Sequence, residues 1–400
     1  MNIACVGVGG QGQHDLRSVA HENIVALCDV DGQRAAPSFR AFPVAPKYSD
    51  YREMFDKQKD IDAVVIAIPD HMHAFVAMTA MQLGKHVYVE KPMAHSIAET
   101  RILAEAAKQA GVVTQMGNQG HSMPGVWQLC HMIESGVIGP VREVHAWTNR
   151  PTWPQGKERP TDTPPVPESL NWDVWLGSAP ERPYHPDYLP HRWRGWWDFG
   201  CCAMGDMGCH ILDAPYMALK LGAPIRVSAE SSGVNDETGP LRSQIHFEFP
   251  ARGGMPPVTI HWQDGIKLPP TFDGIPAGTM IGDRDGGSLF VGEKGMIHVG
   301  TYGNGPTIMP ESLMQDYLKS APPRPDARGH HRSWLEACKG GPNCLSHFDY
   351  AAPFTEVVLL GNVALRAGQP IEWDSAAMRV TNLPEANRFV SINYRNGWTL

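Results

Sequence analysis

The stretch NIACVGVGGQGQ, Asn2 to Gln13, leads towards NIVALCDV, Asn23 to Val30, and the reading of these two pieces decides the fold. An apolar run of small and β-branched residues, a glycine turn, a helical stretch and a second apolar run ending on an acid form a dinucleotide-binding βαβ unit. In Gly7-Val8-Gly9-Gly10-Gln11-Gly12, Gly7 permits the tight turn, Gly9 lets backbone approach a pyrophosphate, and Gly12 lets the helix close on the strand. Gly10 and Gln11 open that helix, whose N-terminus turns free N–H groups and a positive dipole end to the phosphates. Asp29 follows at roughly the 20-residue spacing of the acid that binds ribose hydroxyls. A carboxylate there repels a 2′-phosphate, so the expected cofactor is NAD.

Four hundred residues predict two domains, and a hydrophobic content of 42% supplies a sizeable core. A formal charge of −8 with no basic cluster excludes a nucleic-acid surface. No apolar run reaches the ~20 residues of a membrane span. The eight cysteines form no CxxC pair, which predicts a reducing compartment without disulfides. The first residues already read as a strand, so a cytoplasmic protein is expected; a periplasmic one would require a leader already removed.

Beyond Asp29, strands and helices alternate. Asp31 to Phe42 and Tyr51 to Asp56 read as helices, and Ala63 to Ile68 as a strand buried on both faces. Pro69-Asp70 turns the chain into a helix from His71 to Leu83, and His86 to Val89 is the next strand. Ser96 to Ala110 is helical, and Val112 to Met116 is one more strand. This alternation predicts a doubly wound parallel sheet over residues 1–122, with ligands beyond the carboxyl ends of the strands. Pro69, Asp70, His71, His73, Glu90, Lys91 and Asn118 stand there.

Residues 123–400 form the expected second domain, an α+β unit. Met123 to Glu134 reads as a helix and Val141 to Thr148 as a strand. Between Pro151 and Gly200 fall ten prolines, and seven of the twelve tryptophans lie between Trp147 and Trp197. That density predicts either an irregular segment pinned by aromatic anchors or a platform on which a sugar ring stacks. Trp153, Arg192, Trp193, Arg194 and Trp197 are the candidates for the platform. Gly205 to Leu221 reads as a helix broken near Pro215, with Asp206 and His210 on one face. Alternating runs from Ile225 to Trp262, and a hairpin of Ser288 to Val291 and Gly295 to Val299 through Gly292-Glu293-Lys294, predict antiparallel strands. Gly329 to Lys339 and Tyr350 to Ala367 are the last expected helices, with His330-His331 a solvated or locally bonded pair.

The glycine turn, Pro69-Asp70-x-x-His73, Glu90-Lys91-Pro92 and Asp206-x-x-x-His210 together resemble the Gfo/Idh/MocA oxidoreductases, which include glucose–fructose oxidoreductase and inositol dehydrogenase. Cys201-Cys202 departs from the glycines that many members carry before the second motif. The resemblance implies that the strands of the second domain form a large open, mostly antiparallel sheet, and that a homodimer or homotetramer is built on it. It also implies catalysis at Lys91, Asp206 and His210, with Lys91 stabilising an oxyanion, His210 as base and Asp206 orienting it or binding a neighbouring hydroxyl. The implied substrate is a small carbohydrate, oxidised at a secondary hydroxyl. Two alternatives stay open: a redox-neutral NAD-dependent glycosidase, drawing a further base from Tyr184, His185 or His191, and a sensor that binds NAD and sugar without turnover.

Overall fold

The computed structural model describes residues 1–266, 270–276, 278–323 and 329–400. Its first half follows the alternation in the sequence: β1 (Asn2–Val6), α1 (Gln11–Ser18), β2 (Asn23–Cys28), α2 (Gly32–Ala41), β3 (Lys47–Tyr48), α3 (Tyr51–Lys57), β4 (Ala63–Ile66), α4 (His73–Gln82), β5 (His86–Glu90), α5 (Ile97–Ala110), β6 (Thr114–Gly117) and α6 (Pro124–Glu134). The six strands pair in parallel in the order β3-β2-β1-β4-β5-β6. Helices cover both faces, which is why the Ala63–Ile66 strand is apolar at every position and buried throughout. Helix α5 starts on a capping box in which Ser96 and Glu99 satisfy each other's backbone N–H groups, and stops at left-handed Gly111. The strand order reverses beside β1, so β1 and β4 diverge into the crevice where a doubly wound sheet takes its ligand.

The second half contains β7 (Val141–Thr148), α7 (Trp172–Leu176), α8 (Cys202–Ile211), α9 (Asp213–Ala218), β8 (Arg226–Ser231), β9 (Ser243–Phe249), β10 (Val258–Asp264), β11 (Gly286–Gly292), β12 (Met296–Gly300), β13 (Thr307–Met309), α10 (Glu311–Leu318), α11 (His330–Cys338), α12 (Phe348–Ala367), β14 (Ile371–Asp374) and β15 (Arg379–Val380). Nine strands form one sheet, β13-β12-β11-β7-β10-β9-β8-β14-β15, in which only β7 and β10 pair in parallel. One face is apolar: Ile245, Phe247, Ile260 and Trp262 are buried in the main core with α8 and α12. The opposite face of the same strands is half-exposed and polar. No described helix is long and apolar enough to cross a membrane.

Two local expectations change. The helix expected over Gly205 to Leu221 is two helices, α8 and α9, that meet at Leu212. Pro215 lies in the first turn of α9, where a missing N–H costs no intrahelical bond. The His330-His331 pair is neither solvated nor locally bonded. Helix α11 lies on the first sheet with Trp334 fully buried among Ile3, Cys5 and Tyr88, so its inner face carries both rings into protein. His330 Nε2 lies 2.7 Å from Met116 O and its Nδ1 2.6 Å from Ser122 Oγ. His331 stacks on Tyr88 at 4.6 Å and reaches Asp15 at 3.1 Å. Contacts this distant in sequence carry no local signature.

Candidate functional site

The turn after β1 is shaped by what a side chain would strike. A Cβ on Gly12 would sit 1.9 Å from the Gly7 carbonyl oxygen, and Gly7, at φ 78°, would place one 2.2 Å from Ala67 O. Backbone therefore closes on backbone, and α1 begins hard against the strand. Helix α1 has no side-chain cap and no acid in its first turn, so its leading N–H groups and positive end are left for an anion. At the end of β2, Asp29 Oδ2 accepts from Val8 N at 2.9 Å and Oδ1 from Asp31 N at 3.0 Å. Burial pushes this carboxyl upward, and the two backbone bonds partly oppose that. Each oxygen keeps a lone pair for a ribose hydroxyl.

A cleft of 390 Å³ runs from this turn past Gly7, Gly9, Gly10, Gln11 and Asp29 to Pro69, Glu90 and Lys91. Arg34, from α2, arches over the glycines, within 2.7 Å of where a Gly9 Cβ would stand. The opposite wall comes from the tryptophan-rich segment: Val174, Trp175, Leu189, Pro190, His191, Trp193 and Arg194. That segment is tied down beside Asp29. Leu170 bridges to Asp31, Gly32 N donates to Ser169 O at 2.9 Å, and Asn171 N donates to Val30 O at 2.8 Å. His71 pins it further along, with Nε2 3.0 Å from Trp175 O and Nδ1 3.3 Å from Phe199 O. An uncapped helix N-terminus, a glycine floor, an acid at one end and a cation at the other fit a dinucleotide laid along the cleft.

At its inner end, Lys91 Nζ donates to Asp206 Oδ1 at 2.6 Å and to Asp206 O at 2.9 Å, and Arg194 Nε donates to the same Oδ1 at 2.9 Å. Burial alone would raise the Asp206 carboxyl, but Lys91 and Arg194 hold it well below the usual carboxylate range. An anion clamped this way is a poor proton acceptor. His210, one turn along α8, is buried, and burial with the nearby Lys91 charge pushes its imidazole well below the usual value, so it is neutral. Its Nδ1 is sealed without a partner among the described residues, whereas Nε2 is not sealed. The ring packs against Tyr302, centroids 4.7 Å apart. Asp70 accepts from Cys201 N at 2.9 Å, and burial lifts it to about 7.

The other sequence candidates are distributed unevenly. Glu90 lines the cleft and accepts from Gln119 at 2.6 Å. Asn118 directly follows β6, with both side-chain amide atoms buried and unpartnered among the described residues, a polar group still to be satisfied. His73 lies behind the wall, with Nδ1 2.7 Å from Pro92 O and Nε2 2.8 Å from Ile68 O; it ties the Pro69 turn to the Lys91 turn and has no nitrogen to spare. Trp153 is buried and donates to Gln155 at 2.9 Å, while its ring meets His191 edge-on. Arg192 is paired with Asp187 at the exposed edge. Trp197 is buried and donates to Asn235 O at 3.1 Å, away from the cleft. Of Tyr184, His185 and His191, His191 alone lines the cleft.

Sequence reading missed Arg34, Trp175, Leu189, Pro190 and Tyr302. Arg34 carried a usable signal, one turn into the helix that follows Asp29. The others sit in loops or in a segment whose path no local rule specifies.

Residues 1–118 match the family profile described as "Oxidoreductase family, NAD-binding Rossmann fold", and residues 125–251 match "Oxidoreductase family, C-terminal alpha/beta domain". The chain is 33% identical to inositol 2-dehydrogenase of Salmonella typhimurium over 151 residues, 36% of this chain and 45% of that one. It is 33% identical to levoglucosan dehydrogenase of Pseudarthrobacter phenanthrenivorans over 113 residues, 28% of this chain and 29% of that one. The matched stretch thus spans less than half of either relative. The WlbA dehydrogenase of Bordetella pertussis, solved with NADH and UDP-GlcNAcA, superposes with a TM-score of 0.66 at 18% identity, covering 93% of this chain and 98% of that one, a likeness of fold. The chain belongs to the Gfo/Idh/MocA family of oxidoreductases, and its first 118 residues are an NAD-binding Rossmann domain.

Proposed function

We propose that the protein is an NAD-dependent dehydrogenase that oxidises a secondary hydroxyl of a sugar, cyclitol or glycoside to a ketone. Residues 1–122 hold the cofactor, residues 123–400 supply the substrate site, and the polar face of the nine-stranded sheet joins copies into a dimer or tetramer. The observation that carries the reading is the Lys91–Asp206–Arg194 cluster at the inner end of the dinucleotide cleft, with neutral His210 one turn away. Relatives named for inositol and levoglucosan support a polyhydroxylated substrate.

NAD, when bound, supplies the hydride acceptor. An alcohol is a very weak acid, so its proton must leave towards a base while negative charge on the oxygen is stabilised. Two cations facing one carboxylate leave the cluster with an excess positive charge, and Lys91 is placed to hold the developing alkoxide. His210 Nε2 takes the hydroxyl proton. Asp206, fixed as an anion, keeps the Lys91 ammonium in place and accepts from a neighbouring hydroxyl. Trp193 and His191 line the outer wall, where a sugar ring's C–H face meets aromatic surface.

The test is an assay of purified protein with NAD, free cyclitols and sugars, and chromogenic aryl glycosides, following nicotinamide reduction and aglycone release together. NADH accumulation with the aglycone still attached is expected. Aglycone release without net NADH, abolished when NAD is stripped, would replace the dehydrogenase by a redox-neutral glycosidase. Binding of both ligands with neither readout would make the protein a sensor.

A further inference from the structure

Behind the catalytic helix lies a second cavity of 220 Å³ that shares no lining residue with the dinucleotide cleft. Its walls come from α12, from the turn before α5, and from residues 388–394 of the C-terminal segment. Two arginines open onto it around a single ring. Arg366 lies over Phe389 at 4.2 Å and over Trp197 at 5.1 Å, and Arg388 lies over Phe389 at 4.6 Å. Neither guanidinium makes a hydrogen bond or an ion pair among the described residues. Two carboxylates line the cavity as well, but both are engaged: Asp198 is paired with Arg182, and Glu99 accepts from the backbone of His95 and Ser96 and from Tyr394. Asp198 and Asp236 act on Arg366 through space without a hydrogen bond to it among the described residues.

A half-buried guanidinium whose donors find no partner among the described residues is costly, and the exposed Arg388 adds a second like charge against the same ring. Aromatic faces return part of it. The remainder is recovered by an oxyanion, because the planar fork of arginine matches carboxylate and phosphate oxygens two at a time. Burial lowers the Arg366 pKa, and the carboxylates Asp198 and Asp236 only partly oppose it. We propose that this cavity is a binding site for a small oxyanion, a phosphate or carboxylate group, held between Arg366 and Arg388. Asn362, one turn before Arg366 on α12, lines the same cavity and donates to Cys201 O at 2.9 Å. The occupant therefore abuts the residue that starts α8, the helix of Asp206 and His210.

The experiment is calorimetric titration of the full-length, NAD-loaded protein with inorganic phosphate and, separately, with gluconate, at constant ionic strength. Saturable binding of at least one below ~10 mM is expected, and uptake of only one identifies which oxyanion the site prefers. Arg366→Gln and Arg388→Gln are each expected to weaken it by about tenfold or more, whereas Lys91→Met leaves it intact. Arg388 is exposed, so its variant reports even if Arg366→Gln fails to fold. No saturable binding of either anion, binding indifferent to both arginines, or binding lost with Lys91→Met would overturn the proposal.

Discussion

The two walls of the dinucleotide cleft are built by opposite means. On the glycine side, backbone packs on backbone, and most restrictions are local: a strand end, a turn with φ 78° at Gly7, a helix start and an acid, with the Ala67 carbonyl a distant contact against Gly7. On the far side, a long irregular segment is held in place by a handful of distant bonds, Leu170 to Asp31, Asn171 to Val30 and His71 to Trp175. Its own small core of Trp175, Tyr188, Trp196 and Phe199 stiffens it. At Gly7 and Gly12 the first wall tolerates no added atom; the second tolerates changes of side chain that leave its anchors alone. The difference predicts that mutations on the first side act on folding and cofactor together, whereas on the second side the two effects separate.

Gly12→Val is the harshest way to break this contrast. Its Cβ would lie 1.9 Å from a carbonyl that cannot move without the strand, so loss of NAD binding and a fall in melting temperature of at least about 5 °C are expected. Normal NAD binding by calorimetry would show that the turn is not closed as described. Trp193→Ala on the facing wall should keep the melting temperature within about 2 °C while speeding the release of bound NAD, measured by exchange with labelled NAD. An equal loss of stability would make the two walls mechanically alike.

Arg34→Ala sharpens the comparison within the first wall. Its guanidinium arches over the glycines without a hydrogen-bond partner among the described residues, so the variant should bind NAD about tenfold more weakly with an unchanged melt.

The smallest effect is a pH signature at the junction of the two walls, where Asp70 and His71 are adjacent. Burial lowers His71 from 6.5 to about 4. The unfolded chain therefore binds more protons between these values, and stability is lost as pH falls through that window. Burial raises Asp70 from 3.8 to about 7, so here the folded state binds more protons and stability is lost as pH rises through that window. Asp70→Asn, which keeps an oxygen for Cys201 N, should therefore gain about 2–4 °C over the parent at pH 8 relative to pH 5. A gain that is equal at both pH values would remove Asp70 from the balance.

What the sequence disclosed follows the same division. The Rossmann half was legible because each part of Asn2 to Asp29 reports its own geometry through residue type and spacing. The Lys91, Asp206 and His210 grouping was legible only through motif resemblance, since no periodicity brings residues so far apart together. The roles proposed within it draw on the structure: two cations on one Asp206 oxygen favour neutral His210 over Asp206 as the proposed base. Trp153, Trp196 and Trp197 are buried anchors, whereas Trp193 faces the cleft, and nothing in the local sequence distinguishes them. His73 and the His330-His331 pair were obscure for the same reason, because their partners lie on turns and strands brought near by tertiary packing.

In the proposed mechanism the cleft binds NAD and helix α8 moves the proton. The most direct measurement compares His210→Ala with the parent, taking NAD affinity by calorimetry and single-turnover reduction of bound NAD by a substrate identified from the panel. The predicted result is NAD affinity within about twofold and a turnover rate lower by roughly 10³-fold. Unchanged turnover, or a loss explained wholly by weaker NAD binding, would contradict the assignment of His210 as the base.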